Sequence, residues 1–265
     1  NADYVCSDLQ AGIEGIRFNL HFGSRVLPIS SPLIGRRNWL ALTGAAACAL
    51  ELGVPDDIVA RQIAGFGQLF GRLSAHPIEG GPVFVMDIVK APYDSIPSTL
   101  EELAALEAPR KRFILGGISD YPGDPAPKYA EIYRNASQVA DEVIYVGEIS
   151  HRARASAEDV AAGRFSAFTE FEDLSRHLKA TAVPGEIIFL KGSRSHHLDR
   201  LWLDWQTEVR CWARTCGRKA EFCNQCGLYQ RPYLEHLGKR SQRRGLRRLF
   251  SSIGGSGKDG SGARG

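Results

Sequence analysis

Four cysteines close to one another, Cys211-x4-Cys216-x6-Cys223-x2-Cys226, are the sharpest chemical pattern in the chain. Two closely spaced pairs can set four thiolates at the corners of a tetrahedron, each about 2.3 Å from a zinc ion. Arg210, Arg214, Arg218 and Lys219 surround them and would offset the negative charge of a four-thiolate centre. Such a site keeps no open coordination position, so its role would be structural. Disulfides, free thiols and an iron–sulfur cluster are the competing readings. The opening Asn1-Ala2-Asp3-Tyr4 has no basic stretch leading into an apolar one, so a reducing, cytoplasmic setting is expected, which favours zinc.

Three further segments bring polar groups together. Leu190-Lys191-Gly192-Ser193-Arg194-Ser195-His196-His197 sets a cation beside a glycine turn rich in donors, where a carboxylate or phosphate can bind. Two adjacent histidines rarely chelate an ion without a third ligand, so a metal is not expected there. Asp87 ends the apolar run Val83-Phe84-Val85-Met86, and an acid so placed can accept from the two hydroxyls of a ribose. Asp94-Ser95 just beyond it reads as a helix N-cap or as a substrate contact, the cap being favoured on local grounds. Gly35-Arg36-Arg37-Asn38 opens a helix, and basic side chains beside free helix N–H groups suit an anion, although a capped structural helix start is the favoured reading of the segment alone.

The elements that must position these groups fall into two patterns. Residues 11–29 alternate in short apolar pieces about Gly23-Ser24, a hairpin signal. A helix follows over Asn38–Leu52, stopped by Gly53, and Pro55 suits the first turn of another carrying Ile58, Val59 and Ile63. Alone, this hairpin and its helices are expected to leave apolar faces open. After about residue 68 strands and helices alternate: strands at Val83–Ile88, Phe113–Leu115, Glu142–Val146 and Glu186–Leu190, with helices over Ser95–Leu106, Pro127–Val139 and Glu170–Leu178. Nearly continuous apolar strands separated by helices imply an α/β, Rossmann-like, open and mostly parallel sheet covered on both faces. Ligands of such sheets sit at the carboxyl ends of the strands, which points to Asp87, Gly116–Gly123, Gly147 and Lys191.

Composition sets the class. The 265 residues are 43% hydrophobic and 24% charged, ordinary globular material, and no apolar run approaches the roughly 20 residues that span a bilayer. The formal charge of +3 is uneven: Lys239–Gly265 carries a net +7 and the rest −4. That Gly- and Ser-rich tail reads as a solvated segment able to touch anionic surfaces, and nucleic acid is not an expected partner.

Taken in order, Gly35–Asn38, Ala45-Ala46, Ala49–Val54, Phe70-Gly71-Arg72-Leu73, Asp87, Asp94-Ser95, Leu115-Gly116-Gly117, Val146-Gly147 and Lys191-Gly192-Ser193 resemble the Mur ligase family over roughly residues 1–205. The resemblance implies an ATP-dependent enzyme that activates a carboxylate as an acyl phosphate, which an amino acid or dipeptide then attacks. It implies the end of a central ATPase domain at 1–67 and a C-terminal Rossmann-like domain at 68–205. A cysteine segment at 206–237 and a basic tail at 238–265 would follow. It also implies ATP contacts at Asn38, Arg72 and Asp87, contacts to the incoming substrate at Asp94, Ser95, Lys191 and Ser193, and a Mg²⁺ ion held mostly by residues outside this chain. The sequence departs from the family pattern at Arg37, where a histidine is usual, and at Ala41, where an asparagine is usual. It departs again at Val89–Tyr93 and over Ser119–Gly123, so the substrate stays open between muramoyl peptides and another polymer. No GxxxxGK[ST] occurs, so these residues alone are expected not to hydrolyse ATP. A stand-alone binding module is the competing reading.

Overall fold

The computed structural model describes residues 2–236, so the basic tail lies outside the described residues. The expected hairpin is a three-stranded antiparallel meander, β1 (Tyr4–Gly12), β2 (Gly15–Phe22) and β3 (Arg25–Ser31), with the β2–β3 turn at Gly23-Ser24 as anticipated. The first strand escaped the sequence reading because its burial does not alternate cleanly and its register shifts between Ser7 and Gln10.

Two helices, α1 (Asn38–Glu51) and α2 (Asp56–Ala64), cover one face of this meander. Strand period 2 turns Ile16, Phe18, Leu20 and Phe22 inward, where they meet Leu42, Ala46, Leu50, Val59 and Ile63. This corrects one expectation: the front unit closes a core of its own and does not leave its apolar faces open.

The second unit is a six-stranded sheet of order β4-β5-β9-β6-β7-β8. Its strands are β4 (Arg72–Pro77), β5 (Val83–Asp87), β6 (Lys111–Leu115), β7 (Glu142–Val146), β8 (Phe165–Phe168) and β9 (Ile187–Lys191). All neighbours are parallel except β4, which runs antiparallel to β5 at one edge. This is the mostly parallel α/β sheet expected, with two unforeseen edge strands. β4 was hidden by Arg72, His76 and Pro77, and β8 by its four-residue length. Edge strands lack the two-sided apolar run that marks a central strand.

Alternate residues serve the two faces. Val85, Phe113, Leu115, Tyr145 and Phe189 pack under α3 (Ile96–Ala105) and α4 (Pro125–Ala136) through Leu100, Leu103, Tyr129 and Ile132. Phe84, Met86, Ile114, Ile144, Ile188 and Leu190 pack under α6 (Phe171–Thr181) and α7 (Asp199–Leu203). The short α5 (Ala157–Ala161) precedes β8, and α8 (Cys223–Cys226) lies in the cysteine segment. Among the described residues no helix is long and apolar enough to cross a membrane.

Candidate functional site

The central strand β9 lies between β5 and β6, and in-register pairing aligns Asp87, Lys191 and Leu115 at the carboxyl ends of three strands. Lys191 is 2% exposed, and its Nζ lies 2.5 Å from Asp87 Oδ2. The two candidates therefore form one ion pair, buried on its lysine side. Lys191 does not present a free cation to solvent.

Beyond the strands, backbone pairing continues into the loops. Gly116 N–H donates to Lys191 O, Ser119 N–H to Ala91 O, and Tyr93 N–H to Ser119 O. Glycines make this possible at close quarters. At Gly117, with φ +134°, a Cβ would sit 2.8 Å from the His196 ring, and at Gly192 it would sit 2.7 Å from Leu198. These glycines are therefore spaces filled by the loop that follows β9.

A cleft of about 140 Å³ opens between the two units, lined by Gly35, Arg37, Asn38, Leu73, Asp87, Ser98, Thr99 and Glu102. Asn38 and Asp87, far apart in sequence, face this one space. Arg72 is exposed and pairs with Asp87 across the β4–β5 ladder, beside the cleft and outside its lining. A bulge between Arg72 and Ser74 puts Leu73 at φ +49°, and its side chain packs where a Cβ on Gly35 would be.

The helix-start corner at Gly35–Asn38 is already occupied by an anion, one from the chain itself. Glu102 accepts from the Arg36 N–H at 2.8 Å and the Arg37 N–H at 3.4 Å, while the Arg37 side chain pairs with Glu101 at 3.0 Å. Asn38 Nδ2 donates to Ile34 O at 2.6 Å. Ser98, Thr99 and Glu102 were missed by the sequence reading, although their i, i+1, i+4 spacing puts them on one face of α3.

The other candidates are local. Asp94 is exposed in a 3₁₀ turn, Tyr93–Ser95. Ser95 occupies the N-cap position of α3 without a capping bond, and its hydroxyl donates to Pro92 O at 2.7 Å. Ser193 Oγ lies 2.6 Å from Ser195 Oγ and 3.3 Å from His196 Nδ1, so it organises its own turn.

The cysteine segment packs behind this loop. Cys211 and Cys223 are buried, and Cys216 and Cys226 half-buried. Cys223, whose thiol burial pushes up, puts its sulfur with ligand atoms of His197 and Asp199 within 4.8 Å of one another. Burial raises Asp199 to about 6 and lowers His197 to about 4. His197, without His196, thus meets two partners that the sequence did not reveal.

Comparison with known proteins follows the same division. Residues 71–194 match the family model described as Mur ligase, glutamate ligase domain. A UDP-N-acetylmuramoyl-tripeptide–D-alanyl-D-alanine ligase of Treponema pallidum is 28% identical over 197 residues, 71% of this chain and 41% of that protein. A UDP-N-acetylmuramoyl-L-alanyl-D-glutamate–2,6-diaminopimelate ligase of Pseudomonas aeruginosa is 30% identical over 192 residues, 69% of this chain and 37% of that protein. MurF from Acinetobacter baumannii superposes with a TM-score of 0.66 at 20% identity, over 78% of this chain and 46% of that one. MurF from Thermotoga maritima, solved with ADP, gives 0.61 at 16% identity, over 78% and 46%. The chain thus spans less than half the length of these relatives. The superpositions show a shared fold, and the sequence match carries the conclusion that residues 71–194 belong to the Mur ligase C-terminal domain family.

Proposed function

We propose that this chain is the back part of an ATP-dependent amide ligase of the Mur type. The enzyme joins an amino acid or dipeptide to a carboxylated, muramoyl-peptide precursor through an acyl phosphate. The observation that carries this reading is the meeting of Asn38 and Asp87 in one cleft between two units, at the carboxyl edge of the sheet. In this reading residues 1–67 are the end of the central ATPase domain, residues 68–205 the C-terminal domain, and the enzyme is cytoplasmic.

Each group then has a task set by its surroundings. Asp87, held by Lys191, offers a fixed carboxylate to the ribose hydroxyls of ATP, and Asn38 and Arg72 flank it. The Glu102 contact to the amides of Arg36 and Arg37 holds the two cleft walls in register. Asp94, Ser95 and Ser193 lie on the loops after β5 and β9, where the incoming amino group would approach. Lys191 acts on substrate through Asp87, given its burial. Because no P-loop occurs in these 265 residues, the phosphates and Mg²⁺ are held by residues outside the chain.

The relatives include both dipeptide-adding and diaminopimelate-adding enzymes. We favour D-alanyl-D-alanine as the added group, on the ordered motif series and on the sequence match to the Treponema pallidum ligase. The test is phosphate release by the complete protein, supplied with ATP, Mg²⁺, UDP-muramoyl tripeptide and D-alanyl-D-alanine. Release that depends on both acceptor and dipeptide supports the proposal. Ligand binding without turnover on any muramoyl peptide would instead identify a binding module. Mg²⁺-dependent ATP hydrolysis by residues 1–265 alone would overturn the split site.

A further inference from the structure

We propose that Cys211, Cys216, Cys223 and Cys226 bind one zinc ion, and that the metal-bound segment braces the Gly192–His197 loop from behind. The first observation is at the two Cys-Gly turns. The amide of Arg218 lies 3.5 Å from Cys216 Sγ, and that of Leu228 lies 3.5 Å from Cys226 Sγ. In both turns the N–H comes from two residues further along, past a glycine, and Gly227 adopts φ +64°. An amide aimed at sulfur stabilises thiolate, the form that binds metal. Two separate turns with the same aim fit a tetrahedral thiolate site better than four unrelated thiols.

The second observation concerns where the segment is fastened. Both its ends are tied together, since Arg210 and Cys211 N–H groups donate to Tyr229 O. Asp199 Oδ2 accepts from the Cys223 amide at 2.6 Å, capping the first turn of α8. The buried Arg200 guanidinium donates to Cys211 O at 2.7 Å and to Ala213 O at 2.9 Å. Arg194, inside the loop, donates to Ala220 O at 2.9 Å and lies 4.6 Å over the Phe222 ring. Phe222 in turn fills the space that a Cβ on Gly71 would need. The cysteine segment is therefore a buttress between the start of β4 and the loop after β9.

His197, Asp199 and Cys223 form a rival donor set, whose His197 nitrogens and Asp199 Oδ1 have no hydrogen-bond partner among the described residues. Two features weigh against it. One Asp199 oxygen is already held by the Cys223 amide, and Arg200, the next residue, is fully buried beside it, a fixed positive charge that opposes a cation. The same charge favours a four-thiolate zinc centre, which is net negative. Among the described residues no three of the four sulfurs yet lie within 4.8 Å of one another, so zinc binding draws them together.

The experiment uses the complete protein, purified reduced and without chelator. Expected are one zinc per chain, loss of zinc in Cys216→Ser and Cys226→Ser, and retention in His197→Asn. Cobalt substituted into the unaltered protein gives a readout independent of any variant's folding: the ligand-field bands of a four-sulfur site are expected. After chelation, amide exchange across residues 192–197 should rise about tenfold or more and recover on adding zinc back. Metal-free reduced protein, zinc that survives Cys216→Ser but not His197→Asn, cobalt bands of a mixed nitrogen and oxygen site, or unchanged loop exchange would each overturn the proposal.

Discussion

The two ends of the central sheet solve opposite problems with the same kind of residue. At the amino ends of β6, β7 and β9, Arg112 is 1% exposed, and its Nε lies 3.2 Å from Glu142 and 3.3 Å from Glu186. Arg110 and His177 join the same carboxylates, and Arg112 also donates to Thr181. Burial pulls the Arg112 guanidinium down while the two glutamates hold it up. This end is closed. At the carboxyl ends, the Asp87–Lys191 pair leaves the Asp87 side chain 22% exposed beside the cleft. One end spends its charges on holding strands together, and the other keeps a carboxylate oriented where a ligand can reach it.

The largest expected effect breaks the closed end. Arg112→Met strands two glutamates in the interior, and thermal or urea unfolding should register a loss of about 3–5 kcal/mol. ATP affinity of the surviving folded protein should be unchanged; an equal loss of affinity would erase the distinction between the two ends.

Asp87→Asn tests the open end. It removes one partner of a pair that solvent partly reaches, so destabilisation of about 1–3 kcal/mol is expected, less than for Arg112→Met. KM for ATP should rise clearly in the complete enzyme. A variant with wild-type KM would remove Asp87 from the nucleotide site.

A third prediction sharpens the comparison at the edge strand. Burial against Phe70 and Trp202 lowers His76 to about 4. Its folded value lies below its unfolded one, so the folded state binds fewer protons, and stability falls as pH drops from about 6.5 to about 4. The contribution is roughly 2 kcal/mol after allowance for partial exposure. His76→Gln should flatten that part of the stability–pH curve, and an unchanged slope would assign the acid sensitivity elsewhere.

The smallest effect belongs to the exposed pair Arg37–Glu101, whose side chains are about two-thirds exposed. Glu101→Gln should change stability by less than about 1 kcal/mol. Glu102→Gln, by contrast, alters the carboxylate that receives the Arg36 and Arg37 amides and should loosen the two units, detectable as increased exchange at those amides.

Some of this was legible in residues alone. Nearly continuous apolar runs bounded by turns give β5, β6, β7 and β9 directly, because a strand covered on both faces needs little from the rest of the chain to be recognised. Asn38, Arg72 and Asp87 were found as separate motifs, and the structure brings Asn38 and Asp87 to one cleft with Arg72 beside it. The Glu102 clasp, the Asp87–Lys191 pair and the Arg112 cluster were not found, since each joins charges separated by many residues and no local pattern marks them.

The sequence by itself determined the sheet class, the helices that cover it, the glycine-rich strand ends and the four-cysteine spacing. These are short-range properties of side-chain period, backbone freedom and ligand spacing. Only the tertiary structure decided which charges meet. The order β5-β9-β6 sets Lys191 beside Asp87, the bulge at Leu73 seats the sheet against Gly35, and the loop after β9 lies on the cysteine segment. Pairing and burial depend on strand order and register, and those are fixed only when the two faces of the sheet are packed.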